Sequence, residues 1–320
     1  MNHSHYMKAA IALLFCLPLT LQAATPVKRA ATPAKKAVAT ATTAKKDICL
    51  QLYSVRDLLS GVNKDGQADA TYTALLKRLH AMGYTSVEAA WYDQGKGTFY
   101  NRPAADFKRD IEAAGMKVLS SHVGHGLTAE EIAADDYTPE LAWWKKCIAD
   151  HKAAGMKYIV NPAIGLPKTL KELDLYCRYL NAVGKLCKEA GLGFGYHNHN
   201  YEFEKVEGQV MYDYMLTHTS PEYVFFQMDM YWAVRGAASP VDYFNRFPGR
   251  FHSFHCKDNR EIGQSGMVGW DAIFNNAKTA GLEFIVAEIE QYSVPVEESV
   301  KRSADYLLAA PFVRASYPVK

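Results

Sequence analysis

His197, Asp229, His255 and Glu288 are separated by 32, 26 and 33 residues, and each closes a short apolar run that reads as a β-strand. Imidazoles and carboxylates together make a mixed nitrogen and oxygen donor set. Such a set suits Mn²⁺, the first choice here, or Co²⁺ or Zn²⁺, better than Mg²⁺ or a thiolate-bound ion. An ion with open positions polarises a carbonyl and stabilises an adjacent enediolate. Sugar isomerisation, epimerisation beside a ketone and β-elimination all pass through that intermediate.

Each of the four has a plainer structural alternative. Asp229 ends the run YVFFQMD, where a bare carboxylate is costly to bury, so it needs a metal or a salt bridge to Arg235 or Lys257. In FHSFHCKD, period-two alternation puts Ser253, His255 and Lys257 on one face and leaves His252 as a structural or surface residue. Glu288 shares a face with Val286 and Glu290; one of the two acids is expected in the site, and Glu288 lies nearer the interior. GFGYHNHNYEF puts Gly193, Gly195, His197 and His199 on one face, as if to leave room beside the strand. Either histidine there can bind metal, bind substrate or simply hydrogen-bond its neighbours; His197 is taken as the ligand and His199 as a substrate contact.

Other strand-end residues extend the set. Glu88 in TSVEAAWY and His122 in VLSSH are placed to hold sugar hydroxyls or to act as acid or base, and Lys257 to neutralise an oxyanion. Glu288 is the first candidate base. Trp232 and Trp91 offer flat apolar surfaces for a sugar ring.

The elements that must position these residues repeat. AMGYTSVEA, AAGMKVLSS, AAGMKYIVN, EAGLGFGYH and TAGLEFIVA share one grammar of amphipathic helix, glycine and apolar strand. Glycine just past a helix supplies the left-handed turn that stops it, and continuous apolar runs fit strands buried on both faces of a parallel sheet. Eight strands are predicted, near 48–54, 84–90, 117–122, 157–162, 193–199, 223–229, 251–257 and 284–290. Ser239-Pro240 and Thr138-Pro139 read as N-cap pairs, and Thr128 to Glu131 as a capping box. No glycine-rich dinucleotide fingerprint follows the first strand, which argues against an open doubly wound sheet. The expectation is a single-domain α/β protein, a (β/α)₈ TIM barrel with a repeat of roughly 31 residues and its chemistry at the C-terminal strand ends.

Composition sets the surroundings. Residues 1–23 read as a secretory signal, with Lys8 before an apolar run from Ala9 to Leu21 that is shorter than the roughly 20 residues a spanning helix needs. No membrane anchor is expected, and the location is periplasmic or secreted. Residues 24–46, rich in Ala, Thr, Lys and Pro, read as a disordered tether. Residues 1–46 hold seven of the 36 Lys+Arg and none of the 34 Asp+Glu, so 47–320 carries 29 against 34, a balance of −5. A nucleic-acid partner would need a basic footprint instead. The cysteines at 49, 147, 177, 187 and 256 have no metal-finger spacing and read as buried free thiols, with one disulfide as the alternative. Oligomeric state is left open.

The motifs LQLYSVRD (50–57), YHNHNYEF (196–203), QMDMYWAVRGA (227–237), FHCKD (254–258) and VAEIEQY (286–292) together resemble the sugar isomerase/epimerase superfamily with a xylose-isomerase-like barrel, across 47–320. That group includes ketose 3-epimerases, inosose dehydratases and family-2 AP endonucleases. The resemblance implies one divalent metal held by Glu, Asp, His and Glu from successive strands. Asp229, His255 and Glu288 match the last three; His197 stands where the first Glu would be, and Trp232 where a substrate-binding His is common. Two-base epimerisation uses both glutamates, so the departure at His197 turns the expectation towards one-base elimination, hydration or isomerisation. The combination is similar to the secreted branch acting on 3-keto-glycosides. An exported chain without a phosphate-cradling glycine loop should meet a non-phosphorylated sugar or keto-sugar. The rival readings are a non-catalytic periplasmic carbohydrate-binding protein and a nuclease of the same fold, which the acidic balance opposes.

Overall fold

A computed structural model describes residues 45–59, 61–62 and 65–317. The signal expected at 1–23 and the tether, up to residue 44, lie outside the described residues. Lys46, counted with the tether, is tied down: its Nζ donates to the carbonyls of Leu307 (3.1 Å) and Ala310 (2.6 Å).

Eight parallel strands close a barrel: β1 (Cys49–Gln51), β2 (Ser86–Ala89), β3 (Lys117–His122), β4 (Tyr158–Asn161), β5 (Gly193–His197), β6 (Phe225–Asp229), β7 (Ser253–Lys257) and β8 (Phe284–Glu288), with β1 paired to both β2 and β8. These are the strands expected, trimmed by a few residues at their ends. Runs such as FFQMD and SFHCK are buried at every position, because helices cover one face of the sheet and the barrel interior the other.

The principal helices between strands are α1 (Ala70–Ala81), α2 (Ala104–Ala113), α3 (Leu141–Ala153), α4 (Leu170–Glu189), α5 (Met211–His218), α6 (Pro240–Arg246), α7 (Trp270–Asn275) and α8 (Val296–Ala309). In α4, Thr169 caps the first turn through Glu172 N at 3.2 Å. Its residues Leu173, Tyr176, Leu180, Val183 and Cys187 recur at helical spacing and face the barrel. Each such side chain contributes roughly 1.5–3 kcal/mol by leaving water. The repeat glycines 83, 115, 155, 191 and 281 all adopt positive φ, from 77° to 108°, a conformation that costs any other residue energy.

The capping box at Thr128–Glu131 and the Ser239 cap before Pro240 are both present. Thr138 is not a cap. It begins a 3₁₀ turn, Thr138–Glu140, and its N–H and hydroxyl both donate to Asp136 Oδ1 (2.9 and 2.7 Å). Asp136 supplies the acceptor first, as aspartates do in tight turns. The five cysteines are free and buried. No described helix is long and apolar enough to cross a membrane.

The N-terminal end of the barrel is closed by aromatic packing. Tyr158 stacks on Phe284 (ring centroids 4.5 Å apart), and Phe225 meets Tyr158 edge-on at 5.5 Å. A Cβ at Gly195 would lie 2.4 Å from the Phe225 ring, and one at Gly193 would lie 2.7 Å from Tyr158. The room that these glycines leave is therefore filled by the barrel's own rings, not by a ligand. His252 belongs to this end: it pairs with Glu283 at 3.5 Å and stacks on Phe225 at 5.3 Å.

Candidate metal centre at the barrel mouth

Strand register brings the polar ends to one level. Gln51 lies opposite Glu88, His197 opposite Gln227, Asp229 opposite His255, and Lys257 opposite Glu288. Between β2 and β3 the register slips at Val87/Glu88, so Ser120 rather than Leu119 faces Glu88. Such a bulge re-aims a side chain. Ser120 Oγ uses it to donate to Glu88 at 2.6 Å.

Asp229, His255 and Glu288 are buried and offer ligand atoms within 4.8 Å of one another. His255 Nδ1 lies 3.0 Å from Asp229 Oδ2, while its Nε2 is buried without a hydrogen-bond partner. The other oxygen of Asp229 caps the helix Met230–Arg235 by accepting from Trp232 N at 2.8 Å. Asn198 grips the Asp229 backbone, accepting from its N–H at 3.1 Å. Neither Arg235 nor Lys257 takes the salt-bridge role considered for Asp229; Arg235 reaches the Tyr231 hydroxyl instead, at 3.1 Å.

His197 joins a second trio, with His122 and His255, whose nitrogens are also within 4.8 Å of one another. Burial, and then the neighbouring imidazoles His255 and His122, push its pKa well below the usual value, so it is neutral. Its Nδ1 lies 3.2 Å from Gln227 Oε1. The Gln227 amide donates to Glu88 at 2.9 Å, which turns Oε1 towards the histidines. His197 then carries its proton on Nδ1, and Nε2 keeps a free lone pair.

Glu88 sits below the cavity wall, fully buried. It accepts from Gln51 (2.9 Å), Ser120, Gln227 and His122 (3.0 Å). Burial would raise its pKa, but the charge and hydrogen bond of His122 outweigh that and bring it to about 2. So weak and fully engaged a carboxylate fits a fixed anion, not the acid or base expected of it. Its counterpart is His122: burial opposes the proton there, yet Glu88 raises the pKa to about 9.

The cavity above this layer has a volume of about 350 Å³. Its polar wall is His122, His197, His199, Glu288 and Glu290; Tyr53 and Trp232 are its aromatic wall. A cavity of about 420 Å³ opens at the opposite end of the barrel, near Lys117, Lys157 and Glu283. Chemistry in this fold sits at the C-terminal strand ends, so the mouth cavity is the candidate.

Lys257 is buried and bridges two acids of the cavity wall, Glu288 (3.2 Å) and Glu290. Burial lowers its pKa, but Glu288 and Asp229 more than reverse that, so it stays an ammonium. Burial acts to raise the Glu288 pKa, and the charges of His255 and Lys257 bring it below the ordinary value. Lys257 also lies 5.7 Å from the Trp232 ring centre.

His199 is half-buried beside Trp232 (5.8 Å), and its Nδ1 has no hydrogen-bond partner. Its backbone is held by Glu202, which accepts from His199 N (2.8 Å) and from the Tyr196 hydroxyl (2.7 Å). Trp91 does not line the cavity; it is 65% exposed. Gln227 and Glu202 were missed in the sequence. A glutamine inside the apolar run YVFFQMD was the one available signal for the first.

Over residues 76–310 the chain matches the family described as xylose isomerase-like TIM barrel. A sugar phosphate isomerase/epimerase from Parabacteroides distasonis ATCC 8503 is 31% identical, with 86% of this chain and 100% of that chain covered and a TM-score of 0.76. A second sugar phosphate isomerase/epimerase from the same organism is 35% identical over 84% of this chain and 100% of its own, with a TM-score of 0.73. At 14% identity, the IOLI protein with a binding zinc atom shares the fold over 83% of this chain and 99% of its own (TM-score 0.60). No curated protein matches the chain. The barrel, its strand-end cluster and these likenesses agree: the chain belongs to the xylose isomerase-like TIM barrel family, and is a sugar isomerase/epimerase-like enzyme with a possible metal site.

Proposed function

We propose that the chain is a divalent-metal-dependent enzyme acting on a non-phosphorylated sugar or keto-sugar through an enediolate. The observation that carries the reading is the buried Asp229–His255–Glu288 trio at the strand ends. Two carboxylates and an imidazole with an unpartnered nitrogen fit Mn²⁺, Co²⁺ or Zn²⁺, and the distant IOLI protein carries zinc on the same fold. When bound, such an ion polarises a carbonyl and makes the adjacent C–H acidic.

The chain's own groups supply the rest. Glu288 is ionised and lines the cavity, so it is the base for that C–H. Lys257, held as an ammonium by its carboxylate neighbours, offsets negative charge that develops on the substrate oxygen. His122, His199 and Trp232 grip hydroxyls and ring faces. The retained trio supports an enzyme over a carbohydrate-binding module, which would keep the aromatics and not need the ligands. With both wall acids, Glu288 and Glu290, at one strand end and His197 standing where the opposing glutamate would be, isomerisation or elimination of a 3-keto-glycoside is favoured over two-base epimerisation.

The neighbours from Parabacteroides distasonis are called sugar phosphate isomerases/epimerases. This cavity argues for an uncharged substrate. Its wall carries Glu288 and Glu290, and the cations beside it, Lys257 and His122, are already paired with those two acids and with Glu88, so neither is free to take a phosphate dianion. A periplasmic or secreted location, expected from residues 1–23, agrees with that.

The deciding measurement is solvent deuterium incorporation into a panel of free, keto- and glycosylated sugars, with and without Mn²⁺. Exchange at one carbon, dependent on metal and abolished in Glu288→Gln, is expected. Robust turnover in chelator, or turnover with neither exchange nor a C–H isotope effect, would exclude an enediolate.

A further inference from the structure

Among the described residues, the large apolar side chains exposed to solvent are Tyr53 (40%), Trp91 (65%), Leu166 (51%) and Met267 (45%). All four stand on segments that follow strand C-termini: Tyr53 after β1, Trp91 after β2, Leu166 after β4 and Met267 after β7. Scattered exposed leucines and tyrosines need no explanation. Confinement of every one to the end that holds the polar cavity does, because apolar surface gathered beside a site marks a binding surface.

Two of the four adjoin the cavity at one edge. β1 and β2 are paired with Gln51 opposite Glu88, so Tyr53 and Trp91, two and three residues further on, leave neighbouring strand ends side by side. Tyr53 lines the cavity, as does Ala90, the residue before Trp91. Tyr53 is braced: the Arg56 guanidinium lies 4.3 Å from its ring centre and donates to its backbone carbonyl at 2.9 Å. Arg56 is anchored in turn on the Tyr292 hydroxyl (3.0 Å) and the Glu290 carbonyl (3.2 Å). An aromatic ring fixed in this way and left open to solvent is ready to stack without loss of its own freedom.

The size of the cavity says what would cover these rings. At about 350 Å³ it falls near the lower limit for a small organic ligand, roughly 300–1,000 Å³. A sugar ring set against Glu288 fits within it, and a bulky substituent on that ring is carried past Tyr53 to the rim. We propose that Tyr53 and Trp91 form an aromatic subsite for a flat, apolar substituent carried by the sugar, an aryl aglycone, while the sugar ring itself occupies the polar cavity. The inference rests on the sugar-binding reading of the cavity, though not on its enediolate chemistry. It also gives Trp91 a different part from the sugar-ring platform expected in the sequence: its place is beyond the cavity, where a monosaccharide does not reach.

The test uses the full chain loaded with Mn²⁺ and matched methyl and phenyl β-glycosides of glucose, galactose and xylose, with affinity measured by calorimetry. For at least one sugar, the phenyl glycoside is expected to bind roughly 10-fold tighter than its methyl partner, the scale of one aromatic stacking contact. In Trp91→Ala that ratio should fall to near one, and Trp91→Phe should restore most of it. Trp91 is exposed enough that neither variant threatens the fold, and near-unchanged melting temperatures should show so. Equal affinities of the two glycosides in the wild type, or no binding of either, would overturn the subsite. So would a ratio that survives Trp91→Ala, or a dimer that Trp91→Ala converts to monomer, which would mean that a second copy covers the rim. Deuterium exchange scored on the matching methyl and phenyl 3-keto-glycosides, which carry the carbonyl that the plain glycosides lack, separates the two proposals. An intact phenyl preference without exchange removes the enediolate reading alone, and exchange without a phenyl preference removes the subsite alone.

Discussion

The same strands end in opposite chemistries. At their starts, Tyr158, Phe225 and Phe284 pack against Gly193 and Gly195, with His252 stacked beneath. At their ends, three histidines, three carboxylates and a lysine share one polar layer. The floor gains its stability from fit, and a single added methyl has nowhere to go. The mouth keeps charges buried by giving each one a partner, and where a buried nitrogen has no hydrogen bond, as at His255 Nε2, the structure points to a ligand. Holding stability at one end leaves the other free to carry groups that would be costly elsewhere.

The largest expected effect lies at the mouth. Asp229→Asn keeps an oxygen to cap Trp232 N but removes the charge that a metal needs. Metal affinity and activity should fall roughly a thousandfold, beyond the ~10–100-fold that loss of an outer-shell partner costs. The metal-free melting temperature should fall by only a few degrees, the cost of losing the acceptor that faces His255 Nδ1. A variant that binds metal normally, as read by elemental analysis after dialysis, would show that Asp229 is a capping residue only.

The second expectation concerns pH. His122 has a folded-state pKa of about 9, above its ordinary 6.5, because the Glu88 carboxylate stabilises the protonated ring against the opposing effect of burial. Its contribution to stability is therefore complete below about pH 6.5 and is lost as pH rises through about 9. The amount is on the order of 3 kcal/mol, shared with Glu88 and not to be counted twice. Melting temperature measured in chelator should decline across that window, and Glu88→Gln should flatten the decline. An unchanged slope in Glu88→Gln would mean that the pair does not carry the charge assigned to it.

The smallest effect belongs to the floor. Gly195→Ala places a Cβ 2.4 Å from the Phe225 ring and should cost about 2 kcal/mol, as overpacking does. That lowers the melting temperature by roughly 4–8 °C for a domain of this size. Metal binding and kcat at 25 °C should be those of the wild type. Loss of metal in Gly195→Ala would break the separation between the two ends.

How far the sequence reaches differs between these regions. The eight-strand repeat was legible because helix, glycine and apolar strand recur locally, and the strand-end positions of Asp229, His255 and Glu288 follow from that period. The five free, buried cysteines were legible from their lack of spacing. Thr138 was misjudged within a few residues, since Asp136 was already placed to take its donors.

What the sequence by itself determined, then, is the barrel, the end that carries chemistry and the residue types gathered there. Tertiary structure alone decided the part that each residue plays. Glu88 in TSVEAAWY reads as a residue to hold sugar hydroxyls or to act as acid or base, and becomes a fixed anion because Gln51, Ser120, His122 and Gln227 arrive from three other strands. Gly193 and Gly195 look like space for a ligand until Tyr158 and Phe225 fill it from β4 and β6. The physical reason is common to both. Periodicity is a property of neighbouring residues, whereas charge state and free volume are set by groups 30 to 140 positions away that only register brings within reach.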